Sequence, residues 1–212
     1  MADDAIIAAL QAVVGADQVL CGDAAAPYLV EWRGAFRPAA LAVVRPADTD
    51  AVAAVLRCCC THDCAVVAQS GNTGLVGGAA ASDARRHVIV NLERMDRVRE
   101  IDIDNATMTV EAGCTLADAQ RAAADAGLYF PLSLASRDRC RIGGNLATNA
   151  GGLNVVRYGN TRDLALGLEV VLADGRIWHN LTGLRKDNSG FDLADLFIGS
   201  EGALGIVTAA VF

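Results

Sequence analysis

Three glycine-rich segments carry most of the chemistry legible in this sequence. They are Gln69–Gly78 (QSGNTGLVGG), Ile142–Gly152 (IGGNLATNAGG) and Gly199–Val207 (GSEGALGIV), and together they hold more than half of the chain's 21 glycines. Closely spaced glycines let a backbone turn its N–H groups toward an anion without β-carbon clashes. Small side chains also leave room for a flat ring or a pyrophosphate against the main chain. Tight turns need glycine too, but the first two clusters, rich in Asn, Thr and Ser, are longer than turns require. Two common nucleotide sites are excluded. The single lysine, Lys186, is far in sequence from the first two clusters and in no phosphate-binding motif, so there is no P-loop. No segment reads GxGxxG after a strand with an acidic residue about twenty positions on, so a nicotinamide dinucleotide site is not indicated.

The elements that must position these loops follow from periodicity. Ile6, Ile7, Leu10, Val13 and Val14 predict a helix over Asp3–Val14, closed by Gly15. The stretch from Tyr28 to Pro38 is irregular and holds Trp32, Arg33 and Phe36. Leu41–Val44 reads as a buried strand, and Pro46 breaks it. Asp48 or Thr49 can then cap a helix carrying Val52, Val55, Leu56 and Cys59. Ala65–Ala68 is a second strand running into the first loop, and Val88–Leu92 is a third. This connectivity gives parallel strands with a ligand site at their carboxyl ends. Farther on, Ile101–Ile103 and Met108, Val110 and Ala112 alternate as a hairpin. Thr115–Ala126 is helical and stopped by Gly127. Leu168–Leu172 and Ile177–Leu181 flank the hairpin turn Asp174-Gly175. A helix-like Asp192–Phe197 precedes the third loop and a last strand, Gly205–Phe212. The fold class expected is α+β in two lobes: a small parallel one, then a larger, mostly antiparallel one.

At 212 residues, 53% hydrophobic and 20% charged, the chain can bury a substantial core. A formal charge of -7 argues against a nucleic-acid surface, yet not against a dinucleotide held by backbone N–H groups. No apolar run is long enough for a membrane span, and the acidic start is unlike an export signal, so a cytoplasmic protein is expected. The seven cysteines, three of them adjacent at Cys58–Cys60, suit a reducing compartment. Cys60, His62 and Cys64 do not form a metal site, because His62 points away from an i, i+4 pair on a helix. They read as small apolar side chains packed on a sheet, and no metal is expected. His87 and His179 fall in strands with no partner motif and read as structural.

Beyond the loops, Arg45-Pro46, Val110–Gly113, Gly127–Pro131, Arg157–Asp163 and Gly167–Gly175 occur in order with them. The series resembles the FAD-linked oxidases of the vanillyl-alcohol oxidase and p-cresol methylhydroxylase superfamily. Within it, the likeness is strongest to D-2-hydroxy-acid dehydrogenases acting on D-2-hydroxyglutarate, D-lactate or glycolate. It spans about residues 28–212. The resemblance implies a two-lobed FAD-binding domain over 38–212, lobe one about 38–95 and lobe two about 96–212, after a lead-in at 1–37. It places Ser70, Gly71, Asn72, Thr73, Gly74 and Leu75 around the FAD pyrophosphate. Pro131, Leu132 and Ser136, with Gly143, Gly144, Asn145, Ala147 and Thr148, would line the flavin and its ribityl and phosphate portions. Asn149, Gly151, Gly152 and Tyr158 join that group, and Glu201, Gly202, Gly205, Ile206 and Val207 would close on the cofactor. Covalent members carry a His where this chain has Thr73, so non-covalent FAD is implied. Arg137, Arg139 and Arg141 depart from the pattern: they either pair with cofactor phosphates or form a solvated turn, the turn being preferred.

The implied reaction moves a hydride from Cα of a D-2-hydroxy acid to the flavin, giving a 2-oxo acid. In the family the substrate is held mostly by a C-terminal domain, and that domain has no counterpart here, so the abrupt end at Val211-Phe212 suggests truncation, with an edge strand as the alternative. No residue presents itself as the catalytic base; Asn160 and Arg162 either face the substrate or serve the structure. A flavin-binding or interaction module without catalysis is the alternative function. Apolar surface left by a missing domain would favour a homodimer, and the electron acceptor is not legible.

Overall fold

The computed structural model describes residues 2–36, 39–80 and 86–212. Met1, the end of the irregular stretch at Arg37 and Pro38, and the boundary expected between them lie outside the described residues. The chain builds two sheets. Four strands make the first: β1 (Val19–Leu20), β2 (Ala42–Val44), β3 (Ala65–Gln69) and β4 (His87–Asn91), in the order β1-β2-β4-β3. β2, β4 and β3 run parallel, as their connectivity demanded, with Ala65 paired to His87 and Gln69 to Asn91. β1 was not foreseen; it is only two residues long and adds an antiparallel edge beside β2.

The second sheet is wholly antiparallel. It contains β5 (Val98–Asp102), β6 (Thr107–Glu111), β7 (Gly167–Val171), β8 (Ile177–Asn180) and β9 (Ile206–Val211), in the order β5-β6-β9-β7-β8. The last strand is therefore not an edge: β9 lies at the centre, paired with β6 on one side and β7 on the other.

Helices cover both sheets. α1 (Ala2–Val14) buries Ile6 and Leu10, one helical turn apart, against the first sheet. α2 (Thr49–Thr61) starts at Asp48, whose side chain accepts from the Ala51 N–H at 2.8 Å. Its buried face carries Val52, Val55, Leu56 and Cys59. Burial pushes the Cys59 thiol up to about 12, so this cysteine is an inert packing residue. α3 (Leu116–Asp125) is capped by Thr115 and packs Leu116, Ala119 and Ala123 on the second sheet. Four short helices follow: α4 (Ile142–Ala147), α5 (Val155–Tyr158), α6 (Thr161–Leu164) and α7 (Ala194–Phe197). α4 lies inside the second glycine segment, where glycine content had suggested only a loop.

The lobes are tied together by α2. Thr49 Oγ1 donates to Glu169 Oε1 at 2.5 Å, and Arg57 Nη1 donates to the Gly175 carbonyl at 2.9 Å. Glu169 also accepts from Thr208 at 2.9 Å and pairs with Arg99 at 3.2 Å. Beside it, fully buried Glu111 pairs with Arg97 at 2.8 Å and Arg99 at 3.1 Å. Burial raises both carboxyls, but these donors outweigh it and hold both below the usual carboxylate range.

Candidate functional site

The first glycine loop leaves the carboxyl end of β3 from a fixed anchor. Buried Gln69 donates to the Tyr28 carbonyl at 2.9 Å and accepts from Asn91 at 2.9 Å, so the ends of β3 and β4 are locked together. Ser70 Oγ then donates to the Ala112 carbonyl at 3.1 Å, and Asn72 Nδ2 to the Val30 carbonyl at 2.8 Å. At Gly71 the loop passes so near the turn 136–141 that a β-carbon would sit 2.6 Å from the Arg139 carbonyl oxygen. Pinned this way, the backbone N–H groups of residues 71–76 find no acceptor among the described residues. Six adjacent donors without protein partners are what an anion or water must satisfy.

The second segment forms the opposite wall, and it is fixed at both ends. The N–H groups of Ile142 and Gly143 donate to the carbonyls of Cys114 and Ala112 at 2.9 and 2.7 Å. At the far end of α4, the carbonyls of Leu146 and Ala147 accept from Gly199 at 3.0 Å and Glu201 at 2.8 Å. Arg162 joins the same two loops from behind. Its backbone N–H donates to Asn149 Oδ1 at 3.0 Å, and its Nη2 to the Ile198 carbonyl at 2.5 Å.

Between these walls lies a cavity of about 450 Å³, within the range of small-molecule and cofactor sites. Of the residues singled out in the sequence, Ser70, Gly71, Asn72, Thr73, Gly74 and Leu75 line it from the first loop. Ser136, Gly143, Gly144, Asn145, Ala147, Thr148 and Gly151 line it from the second side, and Glu201, Gly202, Gly205, Ile206 and Val207 from the third. Others fall elsewhere. Leu132 is buried in the second core, and Pro131 and Tyr158 line a separate cavity with Tyr129 and Phe130. Asn149 is spent on Arg162, and Gly152 packs so tightly that a β-carbon would lie 1.7 Å from the Ser133 carbonyl oxygen. Asn160 and Arg162 also make contacts within the protein: Asn160 N donates to Asp163 Oδ2 at 2.7 Å, opening α6.

Sequence reasoning missed Leu92 and Phe197, which give the cavity apolar surface. Their only sequence signal was adjacency, since Leu92 ends the strand beside β3 and Phe197 immediately precedes the third loop. Among the described residues no histidine lines the cavity.

A model of the FAD binding domain matches residues 40–180. The chain belongs to that family. It is 46% identical over 179 residues to a protein of Oryza sativa subsp. indica named probable D-2-hydroxyglutarate dehydrogenase, mitochondrial, a match covering 84% of this chain and 32% of that protein. It is 42% identical over 203 residues to the D-2-hydroxyglutarate dehydrogenase, mitochondrial, of Bos taurus, covering 96% of this chain and 37% of the relative. The chain thus spans about a third of the length of these curated relatives. Among solved structures, p-cresol methylhydroxylase with substrate bound superposes with a TM-score of 0.80 at 25% identity, covering 100% of this chain and 43% of that one. The fold is the p-cresol methylhydroxylase-type FAD-binding fold, as its motifs implied, and the cofactor it takes is FAD.

The cavity fits that cofactor. Gly74 lines it, and a β-carbon there would meet no protein atom within 4 Å, so this side of the loop faces open space. Unpaired N–H groups suit a pyrophosphate, and Leu92, Leu134 and Phe197 suit a ring system. No helix among the described residues is long and apolar enough to cross a membrane.

Proposed function

We propose that this chain is the cofactor-holding part of a flavin-dependent dehydrogenase that oxidises a D-2-hydroxy acid to a 2-oxo acid, D-2-hydroxyglutarate being the first candidate. The observation that carries the reading is that residues 71–76, whose N–H groups have no partner among the described residues, line a cavity closed by two further glycine loops. The relatives' names supply the substrate class. Bound FAD supplies the hydride acceptor. The chain's residues do the holding: the first loop takes the pyrophosphate, α4 backs the ribityl and flavin portions, and Glu201–Val207 closes the remaining side. Thr73 offers no nucleophile for a flavin–histidine link, so the cofactor is held non-covalently. Substrate binding and proton removal fall to residues outside this cavity wall, in a separate substrate domain as the family resemblance implies.

The test is spectroscopic. Purified protein incubated with FAD should retain flavin absorbance on gel filtration, and acid precipitation should release all the flavin to the supernatant. Where the chain is joined to a substrate domain, D-2-hydroxyglutarate should bleach the flavin band. Retained flavin without bleaching by any D-2-hydroxy acid would instead favour a non-catalytic flavin module. A protein that never holds FAD would sink both readings. A cytoplasmic location and a homodimer belong to the same proposal; the dimer is supported by the exposed Leu153, Val156 and Phe191, and light scattering measures it.

A further inference from the structure

Behind the first glycine loop lies a second hollow, of about 660 Å³. Gln69, Ser70, Gly71, Asn72 and Arg141 line both it and the FAD cavity, so the loop stands between the two and Arg141 borders each. Its other side is made by the irregular lead-in, with Tyr28 and Trp32, and by the turn carrying Arg139 and Arg141.

The three arginines of that turn have different surroundings. Arg137 points away, donating to Gln120 at 2.6 Å and pairing with Asp138 at 3.5 Å. Arg139 lies over the Trp32 ring, 4.8 Å from its centroid. Arg141 Nη1 donates to the carbonyls of Gly113 and Glu93. Glu93 lines the hollow and not the FAD cavity, whereas Arg141 lines both. Among the described residues neither Arg139 nor Arg141 forms an ion pair. The acids of the hollow, in contrast, are already compensated. Glu93 pairs with Arg45 at 3.0 Å and accepts from the Tyr28 hydroxyl at 2.6 Å, while Asp138 has Arg137. Arg45 and Arg137 are not part of the lining.

Two guanidiniums without counter-charges therefore face one concave space in a chain of formal charge -7. A guanidinium fork matches the oxygens of a phosphate or a carboxylate, and Arg141 spends only one nitrogen on neutral carbonyls. We propose that this hollow is a second ligand site, meeting the FAD cavity at Arg141, in which Arg139 and Arg141 take the oxyanion group of a phosphate ester or a small carboxylic acid. The Trp32 ring holds Arg139 in place by cation–π contact and forms an apolar back wall for the ligand's remainder.

The test is isothermal titration of the full chain saturated with FAD, so that the anion cradle of the first loop is already filled, with inorganic phosphate and, separately, with glutarate, at constant ionic strength. At least one should saturate a single site, and the tighter titrant identifies the source of the oxyanion. Arg139→Gln and Arg141→Gln should each weaken that binding at least about tenfold, the loss of one charge-assisted contact. Arg176→Gln, the same loss of charge at the exposed residue after the Asp174-Gly175 turn, should leave it unchanged. Arg139 is exposed, so its variant decides the matter even if Arg141→Gln folds poorly. Saturation by neither titrant, or an equal loss in Arg176→Gln, would overturn the assignment.

Discussion

The first and second glycine segments look alike in sequence and do different work. In the first, the donors of residues 71–76 have no partners among the described residues, and Gly74 opens onto free space. In the second, the backbone is consumed by the protein itself: α4 hangs from the carbonyls of Ala112 and Cys114 and is gripped at its far end by Gly199 and Glu201. One segment uses glycine to keep space for a ligand, the other to let elements touch. Gly71 and Gly77 are the exceptions in the first loop, packing glycines that press against Arg139 and the Phe36 ring.

The sharpest break of that contrast is a pair of single substitutions. Gly152→Ala forces a β-carbon into the Ser133 carbonyl and should cost about 3 kcal/mol or more, lowering the melting temperature by roughly 10 °C. Gly74→Val places its β-carbon in open space and should melt as the parent does, while FAD affinity falls at least about tenfold. Circular dichroism and flavin fluorescence titration measure the two effects. A Gly74→Val protein that binds FAD normally would place the cofactor away from this loop.

Arg162 tests whether the second and third loops act as one clamp. Arg162→Met removes the contact to Ile198 and should cost about 2 kcal/mol, with FAD dissociating several-fold faster. Arg162→Lys should restore part of the dissociation rate. If the methionine variant loses stability but releases FAD at the parent rate, the clamp is structural only.

The smallest effect concerns acid. Glu111 and Glu169 are held below their ordinary value of 4.5, so their stabilisation is full above that pH and is lost as pH falls through the lower folded values. The melting temperature should decline below about pH 4.5, and Glu169→Gln should make that decline shallower. Identical slopes would remove Glu169 from the pH response.

Much of this was legible because local signals and tertiary demands agreed. The parallel strands were visible as apolar runs leading into or following a turn, and the two hairpins as alternation around Asp104-Asn105 and Asp174-Gly175. α4 was hidden because Gly143 and Gly144 are poor helix formers; its helix exists because carbonyls distant in sequence hold its first N–H groups. Pro131 and Tyr158 were assigned to the cofactor from motif order, but order does not say which face a residue takes. Tyr158 instead meets Tyr129 edge-on, with ring centroids 6.1 Å apart. Arg162 carries no sequence mark of its role, since Ile198 is brought to it only by the folded chain.

The position of β9 has a consequence for how the molecule is made. On the ribosome, β6 and β7 emerge long before the strand that must slide between them, and each then presents a bare edge able to pair wrongly. The sheet, and the cavity wall that Ile206 and Val207 supply, can be completed only after synthesis reaches residue 211. The pocket for the cofactor is thus a late product of folding, and nascent chains halted earlier should have no place to hold it.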